Sequence, residues 1–133
     1  MTAVSSFDVT GWDETPTSAP AEGPRLSRAS VRKVFRGDLD GESVAEVLLC
    51  QSDPAESGAG FVASEVVTGR IDGREGTFVM QHGGLMGGGE PPRTFGSIVP
   101  GSATGALEGL TGTVEITQAE SGAHVITLDV QFG

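Results

Sequence analysis

Apolar and polar residues alternate one for one along much of this chain, in short runs that recur about every 10 to 15 residues between Gly, Asp and Pro. A period of two sends successive side chains to opposite faces of an extended strand, so each run can bury one face and wet the other. The last run is the clearest. His124, Ile126, Leu128, Val130 and Phe132 share one face, and Val125, Thr127, Asp129 and Gln131 share the other. Strands are expected near residues 5–12, 26–36, 42–50, 60–70, 75–82, 93–99, 110–118 and 123–132. No segment holds a helical period for ten residues; Ser43 to Leu49 fits a short helix or a buried strand.

Three connections share a pattern: Gly37-Asp38-Leu39-Asp40-Gly41, Gly69-Arg70-Ile71-Asp72-Gly73 and Gly105-Ala106-Leu107-Glu108-Gly109. An acid followed by glycine between apolar runs is a hairpin signal, because glycine accepts the positive φ of a tight turn. These turns would join strands 2–3, 4–5 and 6–7, which in a meander all lie at one end. The other end then carries the connections 13–25, 51–59, 83–92 and 119–122, together with Trp12, His82 and His124. The expected fold is one all-β domain over residues 1–133: a closed, antiparallel, eight-stranded up-and-down barrel, open at the end with the longer connections.

With 18 acidic against eight basic residues the net charge is −10, which disfavours nucleic-acid phosphates and anionic membranes as partners. Cys50 is the one cysteine, so no intrachain disulfide can form. Met1 to Glu14 lacks a basic start and an apolar core, so no secretory signal is read there; no apolar run is long enough to span a bilayer. The cytoplasm is the expected compartment.

Phe35-Arg36-Gly37-Asp38-Leu39-Asp40-Gly41, the segment Gly73 to His82 and the segment Val99 to Leu110 together resemble an uncharacterised bacterial domain family with an allene-oxide-cyclase-like β-barrel. The resemblance runs from Phe7 to Phe132 and is most specific in its last segment. It departs at Ala103, where a glycine is expected, and in the absence of tyrosine. It implies an eight-stranded barrel, often oligomeric, and no agreed activity.

Lys33 and Glu65 each stand four residues before the glycine that opens a repeated turn, on strands 2 and 4. Lys33 is in line with Val31 and Phe35, Glu65 with Phe61, Ala63 and Val67, so both interrupt apolar faces. Facing inward they would have to pair, since a lone buried charge is too costly. A buried carboxylate with a raised pKa could exchange protons. The alternative is that they face solvent or form an inert pair. Which residues join Glu65 from strand 5 depends on register. A five-residue turn brings Thr77, Val79 and Gln81; a two-residue Asp72-Gly73 turn brings Phe78, Met80 and His82. Whichever set points outward would lack cover, so a homo-oligomer is expected.

Gly83 to Gly89 holds five glycines and reads as a mobile lid or a flexible connector; it lacks the Gly-Lys-Ser/Thr ending of a phosphate loop. Gly101-Ser102-Ala103-Thr104-Gly105 has the spacing of a nucleophile elbow without its strand-to-helix setting. No metal-ligand spacing and no cofactor motif is found. The expected function is binding of an apolar or amphipathic small molecule, with cofactor-free cyclisation or isomerisation as the chemistry if it is an enzyme. Glu65, Lys33 and His82 are its candidate catalytic residues; Trp12, Phe61, Gln81 and His124 are its candidate ligand contacts. The competing expectation is a non-catalytic binding barrel or an oligomeric module with a packed interior.

Overall fold

The computed structural model describes residues 1–18, 22–54 and 57–133. Eight strands follow one another: β1 Thr2–Ser18, β2 Arg25–Gly37, β3 Leu39–Gln51, β4 Ala59–Ile71, β5 Arg74–Gly87, β6 Glu90–Ile98, β7 Thr111–Gln118 and β8 His124–Gln131. Each pairs antiparallel with its neighbour in sequence, and β8 pairs with β1 from His124–Phe7 to Asp129–Thr2, which closes the ring. Helix is almost absent: Gly105–Leu107 forms one 3-10 turn. Ser43 to Leu49 lies within β3, where its apolar residues alternate between faces. Among the described residues no helix is long and apolar enough to cross a membrane.

The Asp72-Gly73 turn has two residues, both with positive φ (51° and 73°), and pairs Ile71 with Arg74. This short turn settles the β5 register. Phe78, Met80 and His82 point inward, Val79 is half-buried, and Gln81 is on the outer wall. Phe78 and Met80 are therefore core residues, not an uncovered outer pair.

At the end holding the connections after β2, β4 and β6, the interior is filled. Phe35, Leu39, Ile71, Phe78, Met80, Ile126 and Leu128 are packed together there. The third connection is not the tight turn its glycines suggest. Residues 99–110 cross that end and insert Ala103, Leu107 and Leu110 into the core. The segment docks along β5: the Ser102 hydroxyl accepts from Val79 N–H (3.0 Å), and Thr104 N–H donates to Thr77 C=O (2.8 Å). Ser102 is thus a docking residue.

The other end is built differently. β1 to β5 have 13 to 17 residues, whereas β6, β7 and β8 have eight or nine. At this end β1 runs on from Phe7, its last pair with β8, to Ser18, and β6 rises level with β5 through the Gly87–Glu90 pair, so β1 to β6 form a tall wall. Part of that height comes from Gly83 to Gly87, which continue β5 and leave only Gly88 and Gly89 as the connection. The glycine run is strand, not lid, because neighbours need its bare backbone. A Cβ at Gly83 would lie 2.8 Å from the Phe95 ring and 2.5 Å from the Phe61 carbonyl oxygen. The inner face of the tall wall carries small residues, Ala29, Val31, Ala45, Val47 and Ala63, as a second apolar cluster.

Candidate functional site

Four polar side chains divide these two clusters, one from each of four adjacent strands: Lys33 on β2, Ser43 on β3, Glu65 on β4 and His82 on β5. They step diagonally across the inner face, since Lys33 pairs with Ser43, Glu65 with Ala45 and His82 with Ala63. Glu65 is fully enclosed, and the other three are buried. Lys33 Nζ donates to Glu65 Oε1 at 3.0 Å, and His82 Nε2 lies 2.8 Å from the same oxygen. Ser43 Oγ donates to Oε2.

Burial is the largest single influence on Glu65 and acts to raise its pKa. It is outweighed by the hydrogen bond with His82, the Lys33 charge and the hydrogen bonds from Ser43 and Lys33, which together hold the carboxyl below its ordinary range. The raised value expected from burial alone is corrected accordingly: Glu65 is an ionised acceptor at neutral pH. That assignment fixes His82. An ionised carboxylate only accepts, so Nε2 carries the shared proton and Nδ1 is left as the ring's site for proton exchange. No buried side-chain nitrogen or oxygen among the described residues lacks a partner. His82 Nδ1 has no hydrogen-bond partner among the described residues, so by that account it reaches solvent. Lys33 Nζ also sits 4.9 Å from the centre of the Phe7 ring, a cation–π contact in a desolvated place.

Above this cluster a cleft of about 300 Å³ opens on the inner face of the tall wall, lined by Trp12, Glu14, Leu49, Phe61 and Met86 among others. Trp12 reaches it through an irregularity in β1. The β1–β2 register slips between Val9 and Gly11, after which Trp12, Glu14 and Pro16 pair with the inward positions Val31, Ala29 and Ser27. Glu14 Oε2 accepts from Ser27 Oγ (2.7 Å) and Oε1 from Trp12 Nε1 (2.9 Å); these bonds, in that order, hold its carboxyl below the usual range. Phe61 joins cleft to cluster, since its ring meets the His82 ring edge-on with centroids 6.0 Å apart.

The structure thus brings Lys33, Glu65 and His82 into contact and sets Trp12 and Phe61 in the cleft above them. Two expected contacts are placed elsewhere. Gln81 points outward and donates to Ser64 Oγ at 3.0 Å, a result of the two-residue turn. His124 stacks on Phe7 with centroids 5.2 Å apart and does not line the cleft. Ser43 and Glu14 are the site residues that the sequence reading missed. Ser43 carries the same signal as Lys33 and Glu65, a polar residue in line with Ala45 and Val47. Glu14 carries none, because the slip in β1 reverses its apparent face. No group of three or more His, Cys, Asp or Glu side chains converges among the described residues.

Comparison with known proteins comes to the same chain-wide likeness. No curated protein matches the chain. Among solved structures, it is similar to a protein of unknown function from the DUF3224 family of Shewanella oneidensis MR-1. The two share 34% identity at a TM-score of 0.85, covering 100% of this chain and 97% of the other. The family model described as "Protein of unknown function (DUF3224)" matches residues 3–130, and the chain belongs to that family.

Proposed function

We propose that this protein is a small-molecule-binding barrel of the allene-oxide-cyclase-like kind, which takes an apolar or amphipathic ligand at its open end. The observation that carries the reading is the placement of a fully enclosed Glu65, with Lys33, Ser43 and His82, beneath a cleft walled by Trp12, Leu49 and Phe61. Mostly apolar walls with a few convergent polar groups are what a ligand pocket needs for affinity and orientation. The apolar body of the ligand lies against Trp12 and Phe61, and its polar end reaches past the Phe61 ring toward His82, which does not itself line the cleft.

The chemistry within reach is proton transfer without a cofactor. Nδ1 of His82 takes a proton from the ligand and returns it at another atom, which serves an isomerisation or a ring closure. Glu65 orients the ring and stabilises the imidazolium while remaining ionised itself. The acid–base role expected of Glu65 passes to His82, and Glu65 and Lys33 become positioning residues.

Trp12 is the one tryptophan, which makes it a reporter for the cleft. Titration with anilinonaphthalene sulfonate, an amphipathic fluorescent anion, is expected to give saturable energy transfer from Trp12 that Phe61→Asp abolishes while the circular dichroism spectrum holds. No saturable transfer, or the same transfer in the variant, would overturn the reading. A non-catalytic module with a packed interior is the second reading. It is favoured by the filled half of the ring and by a polar cluster whose buried atoms are all paired. It expects no response from Trp12.

A further inference from the structure

The outer wall of the tall strands carries an apolar surface that none of the described residues covers. Leu48 (55% exposed) and Val62 face each other across β3 and β4, and Phe95 (59%) and Leu85 (55%) continue the surface on β6 and β5. The surface is concave because two of its positions are glycine. Phe95 lies over Gly83 and Leu85 over Gly60, where an added Cβ would come within 2.8 Å of each. Two confluent grooves of about 600 and 570 Å³ result, sharing Leu48, Val62 and Phe95.

We infer that this face is a two-fold interface with a second copy of the chain. Charge is the first reason. Two copies that each carry −10 repel, so their contact must fall where charge is low or complementary. The groove is bordered by one base and one acid, Arg28 and Glu46. Both are exposed, and neither takes part in an ion pair among the described residues. An isologous contact presents each copy's Arg28 to the other's Glu46, giving two ion pairs by symmetry.

Area is the second reason. Leu26, Leu48, Val62, Leu85 and Phe95, each about half exposed, present on the order of 500 Å² of apolar surface. That is more than half of the roughly 800 Å² that each partner gives to a standard interface, with the polar rim supplying the remainder. The groove's other polar linings are Ser64 and Gln81, which bond each other at 3.0 Å, and the buried His82.

The test is sedimentation equilibrium of the full chain across micromolar concentrations. The wild type is expected to be a dimer, and Leu48→Lys a monomer with unchanged circular dichroism. Arg28→Glu and Glu46→Arg are each expected to weaken the dimer at least about tenfold, from the close like charges they create. The double variant Arg28→Glu with Glu46→Arg is expected to restore it. A wild type that stays monomeric at high micromolar concentration would overturn the inference. So would a dimer that survives Leu48→Lys, or a double variant no tighter than its singles.

Discussion

Glu65→Gln keeps the shape of the side chain and removes its charge. Lys33 then remains buried with no counterion, since its one acceptor has been Glu65 Oε1 at 3.0 Å. Breaking one side of a buried, hydrogen-bonded ion pair costs about 3–5 kcal/mol, because the surviving charge is neither solvated nor paired. For 133 residues the entropy of unfolding is about 280 cal/mol/K, so each kcal/mol moves the melting temperature by about 3.6 °C. The expected fall is therefore about 11–18 °C. A cycle with Lys33→Met isolates the pair. Lys33→Met alone leaves Glu65 with the hydrogen bonds of His82 and Ser43 and is expected to cost less than Glu65→Gln. The double variant is expected to be more stable than Glu65→Gln alone, since it removes the stranded charge. Differential scanning calorimetry measures all four proteins. Additive effects, or a fall of under about 3 °C for Glu65→Gln, would refute the description of Lys33 and Glu65 as a coupled buried pair.

The same carboxylate sets an acid limit. Its folded pKa lies below the ordinary 4.5, so the unfolded chain binds the proton first as pH falls. The contribution of Glu65 is full above about pH 4.5 and is lost as pH drops through the lower folded value. The stability gap between wild type and Glu65→Gln, measured by urea unfolding, is expected to shrink over that range; a constant gap would contradict the ionised assignment. Gly83→Ala drives a methyl into the Phe61 carbonyl oxygen and the Phe95 ring and is expected to cost about 1–3 kcal/mol, as overpacking does, in the same urea assay.

Much of this architecture is legible in the residues. The alternation in β8 marks its inward face, and Ile126, Leu128 and Val130 are buried as the period requires. Lys33 and Glu65 stand out as charges on apolar faces, and that inconsistency is what marks them as partners. What sequence cannot carry is offset by a single residue. The slip between Val9 and Gly11 changes the face of Trp12 and Glu14, and a lone glycine within the run, Gly11, is its one mark in the sequence. The Asp72-Gly73 signal is compatible with two turn lengths, and only the pairing partners decide that His82 and not Gln81 points inward. Glycine misleads in two opposite ways. Gly83 to Gly87 read as a flexible segment yet are strand, because Phe95 and Phe61 lie against the bare backbone. Gly105 to Gly109 read as a tight turn yet belong to a long crossing segment, because Leu107 and Leu110 fill the end of the ring.

Whether the cleft walled by Trp12 and Phe61 holds a small molecule is read most directly from what the folded protein retains. Wild-type protein and Phe61→Asp are passed through a cell extract of the source organism, desalted and denatured, and the released small molecules are read by mass spectrometry. An amphipathic or apolar species is expected at near-equimolar amount from the wild type and is expected to be lost from the variant. Retention of nothing above a heat-denatured control, or equal retention by both proteins, would contradict it.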